Sequence, residues 1–308
     1  MSTYRNLALF AVLAGVWGTA FMAIKAGLDP FGEAPVLFAA VRYDVAGVLM
    51  LGYAAFAVDD WLPRGRNQWA LVAVGGVLMI AGYHAFLFVG ERQTTSAAAA
   101  VIVSLSPVLT TGFARAFLPS ERLRPVGLIG LFLGLVGVVV LADPSPGTLL
   151  GGNATGEFLV FLAAVSFSLG SVLTKVLDAS LPIETMEAWS MVIGALVMHL
   201  ASVGLGEDPG SVAVTPTAIA SLAYLSIAAS AVGFLIYFDL LDRLGPIEIN
   251  LVSYVAPVFA ALSGWVFLGE LLTVRTVVGF AIIFAGFWLL KREELERELS
   301  RLRRSAFG

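Results

Sequence analysis

Arg42, Asp44 and His84 are ionisable side chains placed inside long apolar segments. A charge near the centre of a membrane span costs about 2.5 to 3.5 kcal/mol on insertion scales, so such groups face protein or water. A guanidinium in that setting binds a substrate carboxylate, closes an ion-pair gate, or is held structurally by a carbonyl or by the surroundings of Asp44. A histidine there relays a proton or serves as a hydrogen-bonded packing residue. Arg42 and Asp44 are two positions apart, about 200° around a helix, so one lines a path while the other meets a neighbouring helix. Asp44 and Asp239 are the gating or coupling candidates. Asp239 shares the end of its segment with Asp242 and Arg243, which reads either as an inner gate or as a solvated loop cluster.

Pro107 and Pro257 each fall near the middle of an apolar segment. A proline inside a helix removes one donor and frees the carbonyl four residues back, here those of Val103 and Ser253. In hydrocarbon that carbonyl needs protein, a polar side chain or a water-filled cavity, and Ser104, Ser106 and Ser253 bring hydroxyls close by. The bland alternative is that both prolines only kink helices for packing. Matched interruptions in two halves of a chain point instead to a substrate site at the bilayer midplane. Trp17, Phe167, Tyr83, Tyr237, Tyr254 and Asn250 lie on other segments of the same set and suit the walls of an amphipathic cavity, although each aromatic singly reads as packing or lipid contact. The candidate substrate site is therefore Trp17, Arg42, Tyr83, His84, Ser104, Pro107, Phe167, Tyr237, Asn250, Ser253, Tyr254 and Pro257.

These residues need apolar helices to carry them. The 308 residues are 59% hydrophobic and 13% charged, with a mean hydropathy of +0.92, too little charge for the surface of a soluble domain. Segments long enough to cross about 30 Å of hydrocarbon read at 6–27, 34–57, 69–90, 95–117, 124–142, 157–177, 185–205, 216–238, 247–268 and 273–290. Arg5 before the first run imitates a signal peptide, but no clear cleavage site follows and the run has a counterpart later in the chain.

A shift of 150 residues places Trp17 on Phe167, Lys25 on Lys175, Phe88 on Phe238 and Pro107 on Pro257, and a shift of 149 places Glu121 on Glu270 and Gly137 on Gly286. The expected fold is an all-α integral membrane protein of ten transmembrane helices, two five-helix repeats. Five is odd, so the second repeat enters the membrane inverted. The expected organisation is a first repeat over 1–142, an external connector over 143–156, a second repeat over 157–290 and a charged cytoplasmic tail over 291–308. Basic residues gather on the side of the N-terminus, which puts both termini in the cytoplasm of a plasma-membrane protein. Lys25 and Lys175 close the first span of each half and suit snorkelling to headgroups. The basic end of the tail suits contact with anionic lipid. Asn153-Ala154-Thr155 matches a glycosylation acceptor, a triplet common by chance. Gly130 and Gly134, flanked by Gly127 and Gly137, permit close helix approach in a scaffold or a homodimer.

The chain lacks cysteine and has two distant histidines, which excludes thiolate chemistry and argues against a metal site. No cofactor is expected. With a net charge of −4 and no continuous basic patch, nucleic acid is not an expected partner.

The sequence resembles the EamA-like permeases of the drug/metabolite transporter superfamily over nearly its whole length. The resemblance rests on Gly15-Val16-Trp17-Gly18, on Arg42 followed by an apolar run, on Leu105-Ser106-Pro107-Val108 and Val255-Ala256-Pro257-Val258, and on Glu121 and Glu270 ending those spans. It implies an inverted-repeat permease with a central cavity that moves small metabolites such as amino acids or sugars, often outward. Two departures stand out: Glu121 follows Pro119-Ser120 where the second half has Leu268-Gly269, and Asp44 occupies a position usually apolar in the family.

The expected function is that of a secondary transporter with a small-molecule substrate, not an enzyme. No nucleotide-binding G-x-x-x-x-G-K-[ST] motif is present. An intramembrane lipid-modifying enzyme would need clustered acids or a nucleophile with a base, and Asp59-Asp60 alone supplies neither. A channel would carry filter carbonyls or charged rings, and a non-transporting scaffold has no use for two matched midplane prolines.

Overall fold

In hydrocarbon every backbone donor and acceptor must pair within the protein, so apolar runs of this length fold as helices. The computed structural model describes residues 3–93, 99, 102–118, 125–142, 154–177, 179–268, 274–275 and 277–289. Glu121, Glu270, Asn153, connector residues 143–153 and the tail 291–308 lie outside the described residues. Within them the protein is all-helical, without strands.

The main helices are α1 (Thr3–Phe31), α2 (Pro35–Ala57), α3 (Arg66–Gln93), α4 (Ser106–Phe117), α5 (Pro125–Ala142), α6 (Ala154–Leu177), α7 (Ile183–Leu205), α8 (Pro216–Leu244), α9 (Val252–Leu268) and α10 (Val277–Leu289). Among the described residues six helices are long and apolar enough to span a bilayer, namely α1, α2, α3, α6, α7 and α8, and three shorter apolar helices lie at Pro125–Val140, Pro246–Ala260 and Val277–Leu289. The protein is a multi-pass membrane protein.

Packing follows small residues, as expected where lipid offers no hydrophobic drive between helices. Helix α2 lies along α7; α3 packs on α6 and α7; α1 packs on α8 and α9; α2 meets α8, and α4 meets α6. At the α3–α7 crossing a Cβ on Gly76 would stand 2.9 Å from the Ser190 carbonyl and from Ile193, and one on Gly194 would meet Ile80 and the Gly76 carbonyl. At the α3–α6 crossing a Cβ on Gly90 would come within 2.8 Å of the Gly156 carbonyl. Gly134 and Gly137 are used inside the chain, against Tyr254 and against Ile283 of α10.

Two departures from a simple helix position the site. The first is a pair of π-helical segments, Gly75–Gly82 within α3 and Tyr224–Val232 within α8. In each, the following N–H reaches five residues back, Tyr83 to Leu78 and Gly233 to Ala228. The second corrects the sequence expectation for the prolines. Pro107 is not interior to an unbroken helix: a turn at Ser104–Leu105 precedes it and Pro107 sits in the first turn of α4, where its missing N–H has no helical partner to lose. Pro257 does lie inside α9, whose own break comes earlier, at the turn residue Leu251 after the short helix Pro246–Asn250. The Val103 carbonyl accepts the Ser106 hydroxyl at 2.7 Å, and the Ser253 carbonyl accepts the Ser104 hydroxyl at 3.3 Å across the two breaks.

At the Phe31 end of α1, Glu207 Oε1 and Oε2 accept the Val36 and Leu37 N–H groups, 3.0 and 2.7 Å, and so cap the start of α2. Glu33 there accepts from Arg92, whose hydrogen bond and charge hold the carboxyl below its usual pKa.

Replacing Gly76 with valine is expected to force α3 off α7 and to destabilise the protein by about 1–3 kcal/mol through overpacking. Gly52→Ala and Gly204→Ala, where open space surrounds the added carbon, are expected to be neutral or to stabilise by about 0.5–1 kcal/mol. Thermal unfolding of the detergent-solubilised variants checks both.

Candidate functional site

A cavity of ≈ 740 Å³ of empty space, mouth included, lies among α1, α2, α3, α6, α8 and the two broken segments around residues 103–106 and 250–257. It runs from Trp17 in the middle of α1 toward Ile24, on the side of the Phe31 end.

Arg42 enters this space from α2 and is 3% exposed. Its Nε donates to Ser230 Oγ at 2.8 Å, within the π segment of α8, and its guanidinium carbon stands 5.1 Å from the centroid of the Tyr43 ring. Neither terminal nitrogen has a protein hydrogen-bond partner among the described residues, which leaves the fork of the guanidinium for a ligand. Tyr43 also pairs with His84, its hydroxyl 2.9 Å from Nε2. His84 Nδ1 lies 2.8 Å from the Ile80 carbonyl, an arrangement in which Nδ1–H donates and neutral Nε2 accepts from the tyrosine.

Trp17 forms the floor. Its indole N–H donates to the Ala229 carbonyl at 3.0 Å, an acceptor left over because the Gly233 N–H has moved on to Ala228 in the π segment. The ring stacks on Tyr237, centroids 5.3 Å apart at 27°, and meets Phe167 edge-on at 5.9 Å. Tyr83 and Phe234 complete the aromatic wall.

Of the residues singled out from sequence, Trp17, Arg42, Tyr83, His84, Phe167, Asn250, Ser253 and Pro257 line the cavity. Ser104, Pro107, Tyr237 and Tyr254 do not. Ser104 bridges the two breaks, Pro107 starts α4, Tyr237 supports Trp17 from below, and the Tyr254 hydroxyl donates to the Leu131 carbonyl in α5 at 2.9 Å. Asp44 faces away from the cavity, its Oδ2 2.7 Å from His199 Nε2 on α7. Asp239 lies at the opposite end of the bundle, bound by Arg243 at 2.6 Å and by Arg5 of α1 at 3.5 Å, beside a Lys175–Asp242 pair of 3.0 Å. Sequence reading missed Ser230, Tyr43 and Phe234. Tyr43 was within reach, since it adjoins Arg42, whereas Ser230 is a lone hydroxyl among many.

The sequence profile described as the EamA-like transporter family matches residues 6–142 and again residues 154–292. The chain belongs to this family. Relatives of this EamA protein include a chloroplastic WAT1-related protein of Arabidopsis thaliana, 31% identical over 90% of this chain and 67% of the relative. A protein named probable amino-acid metabolite efflux pump, from Salmonella typhimurium, is 30% identical over 92% of this chain and 93% of its own length. An uncharacterised inner membrane transporter of Escherichia coli, YedA, is 30% identical over 86% and 83%. The fold also matches a crystal structure with a TM-score of 0.75 at 24% identity, covering 97% of this EamA chain and 99% of the other. The EamA relatives are transporters, not enzymes.

The Trp17→Phe variant keeps the stack on Tyr237 and loses the bond to Ala229, so it is expected to cost about 1 kcal/mol of stability. Trp17→Ala removes the floor as well and is expected to cost about 3–5 kcal/mol. Thermal midpoints of the two variants against the parent check the split.

Proposed function

We propose that this EamA protein is a secondary transporter that exports amino acids or related small organic compounds across the plasma membrane by alternating access. The observation that carries the reading is the central cavity itself, bounded by helices of both sequence halves and centred on the buried Arg42. A small-molecule site between two halves of a membrane bundle is where a carrier binds its cargo. The name of the Salmonella relative concerns that protein and supports amino acids as the first substrates to try.

Ten spans in two inverted repeats account for the packing. Under exchange of α1–α5 with α6–α10, the α3–α6 contact becomes α8–α1, α3–α7 becomes α8–α2, and α4–α6 becomes α9–α1, all of which occur. The π segments fall at matching positions of the third and eighth spans, and the breaks at Ser104–Leu105 and Leu251 lie in the fourth and ninth. The repeats are read as 1–142 and 157–290, joined by the connector 143–156 and followed by the tail 291–308. Basic residues favour cytoplasmic termini.

In that orientation the cavity opens outward. The inner end is then closed by Arg5–Asp239–Arg243 and Lys175–Asp242. Asp239 is the gating acid on this reading, and the engagement of Asp44 with His199 outside the cavity favours Asp239 over it. Arg42 is the anchor for the substrate, with Trp17, Tyr83, His84, Phe167, Asn250 and Ser253 around it.

A proteoliposome screen of labelled amino acids and metabolites, with and without a pH gradient, tests the reading. Saturable movement of at least one class, reduced at least tenfold by Arg42→Ala, is the expected outcome. No saturable movement of any compound, or full activity of the variant, contradicts it.

A further inference from the structure

The cavity carries one fixed sign of charge. Among the described residues Arg42 lines it, and neither an aspartate nor a glutamate does. Two acids on the lining helices are engaged away from the cavity. Asp44 pairs with His199, and Asp239 with Arg5 and Arg243. Glu91 shares the face of α3 that carries His84 and is buried, with neither carboxyl oxygen hydrogen-bonded among the described residues, and it stands about 10 Å from His84 along the helix axis, outside the lining. Glu248 is two residues from Asn250, about 200° around its helix.

The carbonyls freed at the two breaks each already accept one hydroxyl. At the first break the Val103 carbonyl accepts the Ser106 hydroxyl and the Ser106 carbonyl accepts the Ser168 hydroxyl, 2.7 and 3.2 Å. At the second break the Asn250 carbonyl accepts the Ser253 hydroxyl at 2.9 Å and the Ser253 carbonyl accepts that of Ser104 at 3.3 Å. The Asn250 amide nitrogen donates to Ser171 Oγ and to the Pro246 carbonyl, 2.9 and 2.8 Å. Its oxygen is a neutral acceptor, enough for a hydroxyl, and brings no negative charge to pair with an ammonium. A buried cation without a facing carboxylate is costly, and a ligand anion offsets that cost where a zwitterion would bring an unpaired charge of its own.

We infer that the cargo is a monocarboxylate with an otherwise uncharged, largely apolar or aromatic body, such as a hydroxy or oxo acid, and not a zwitterionic α-amino acid. The inference narrows the transporter reading above and rests on it. The carboxylate sits on the fork of Arg42, anchored through Nε by Ser230, and the body lies against Trp17, Phe167 and Phe234.

The test uses the full chain in proteoliposomes and three compounds that share a phenyl group: phenyllactate, phenylalanine and phenethylamine, an anion, a zwitterion and a cation. Phenyllactate is expected to move saturably with a kcat/KM at least tenfold above that of phenylalanine, with phenethylamine no faster than in protein-free liposomes. Arg42→Gln is expected to lower phenyllactate transport at least tenfold; the wild-type comparison needs no variant and stands if this one does not fold. Phenylalanine moved as well as or better than phenyllactate overturns the inference while leaving a carrier in place. No saturable transport of any compound in this trio or in the wider screen overturns the carrier reading and the inference together.

Discussion

A carbonyl or N–H inside hydrocarbon has no water to turn to, and the organisation of this protein depends on how that demand is met. The two broken segments each expose carbonyls that a continuous helix would pair. Serine hydroxyls take them, Ser106 on Val103 and Ser104 on Ser253, the second bond reaching from one half of the chain to the other. The π segments shift the ladder by one residue and release further acceptors. The Ala229 carbonyl, freed in this way, takes the Trp17 indole, and the Leu78 carbonyl accepts the Ser166 hydroxyl at 2.7 Å besides the Tyr83 N–H. Irregular backbone is thus confined to places where another helix can satisfy it, and those places surround the cavity.

The same rule governs charge. Arg42 is held by Ser230 and by the face of Tyr43 instead of a carboxylate, and Asp44 two residues later is directed to His199. A structural ion pair would neutralise the guanidinium and leave the site indifferent to anions. Ion pairs gather instead at the Arg5 end of the bundle, where Asp239 and Asp242 join α8 to α1 and α6. Their partial exposure makes each pair weak.

Apolar run length and low charge were sufficient to read a multi-pass helical membrane protein from sequence, because hydrocarbon thickness and hydrogen-bond satisfaction leave few alternatives. Arg42, His84, Trp17 and Asn250 were legible for the same reason: polar or amphipathic groups in such runs must meet protein or a cavity. Other features depend on tertiary partners and leave no local pattern. The π segments at Gly75–Gly82 and Tyr224–Val232 have no composition of their own. Ser230 becomes the anchor of Arg42 across 188 residues, and Glu207 caps α2 from 170 residues away. Tyr254 reads in sequence like a cavity residue, but its hydroxyl is drawn to Leu131. Pro107 reads as mid-helix, because an apolar run does not reveal where its turn falls.

The central claim is one cavity reached from one face of the membrane at a time. The natural absence of cysteine permits a direct test, single-cysteine labelling with a membrane-impermeant maleimide in vesicles of known orientation. Ala20→Cys, on the cavity wall, is predicted to react from the face at the Phe31 end of α1 and to gain reaction from the opposite face when Asp239→Asn loosens the ion pairs at the Arg5 end. Val48→Cys, on the exposed outer surface of α2, is predicted to react from neither. An Ala20 cysteine that stays unreactive from both faces, or reacts equally from both whether or not Asp239 is present, would contradict the account.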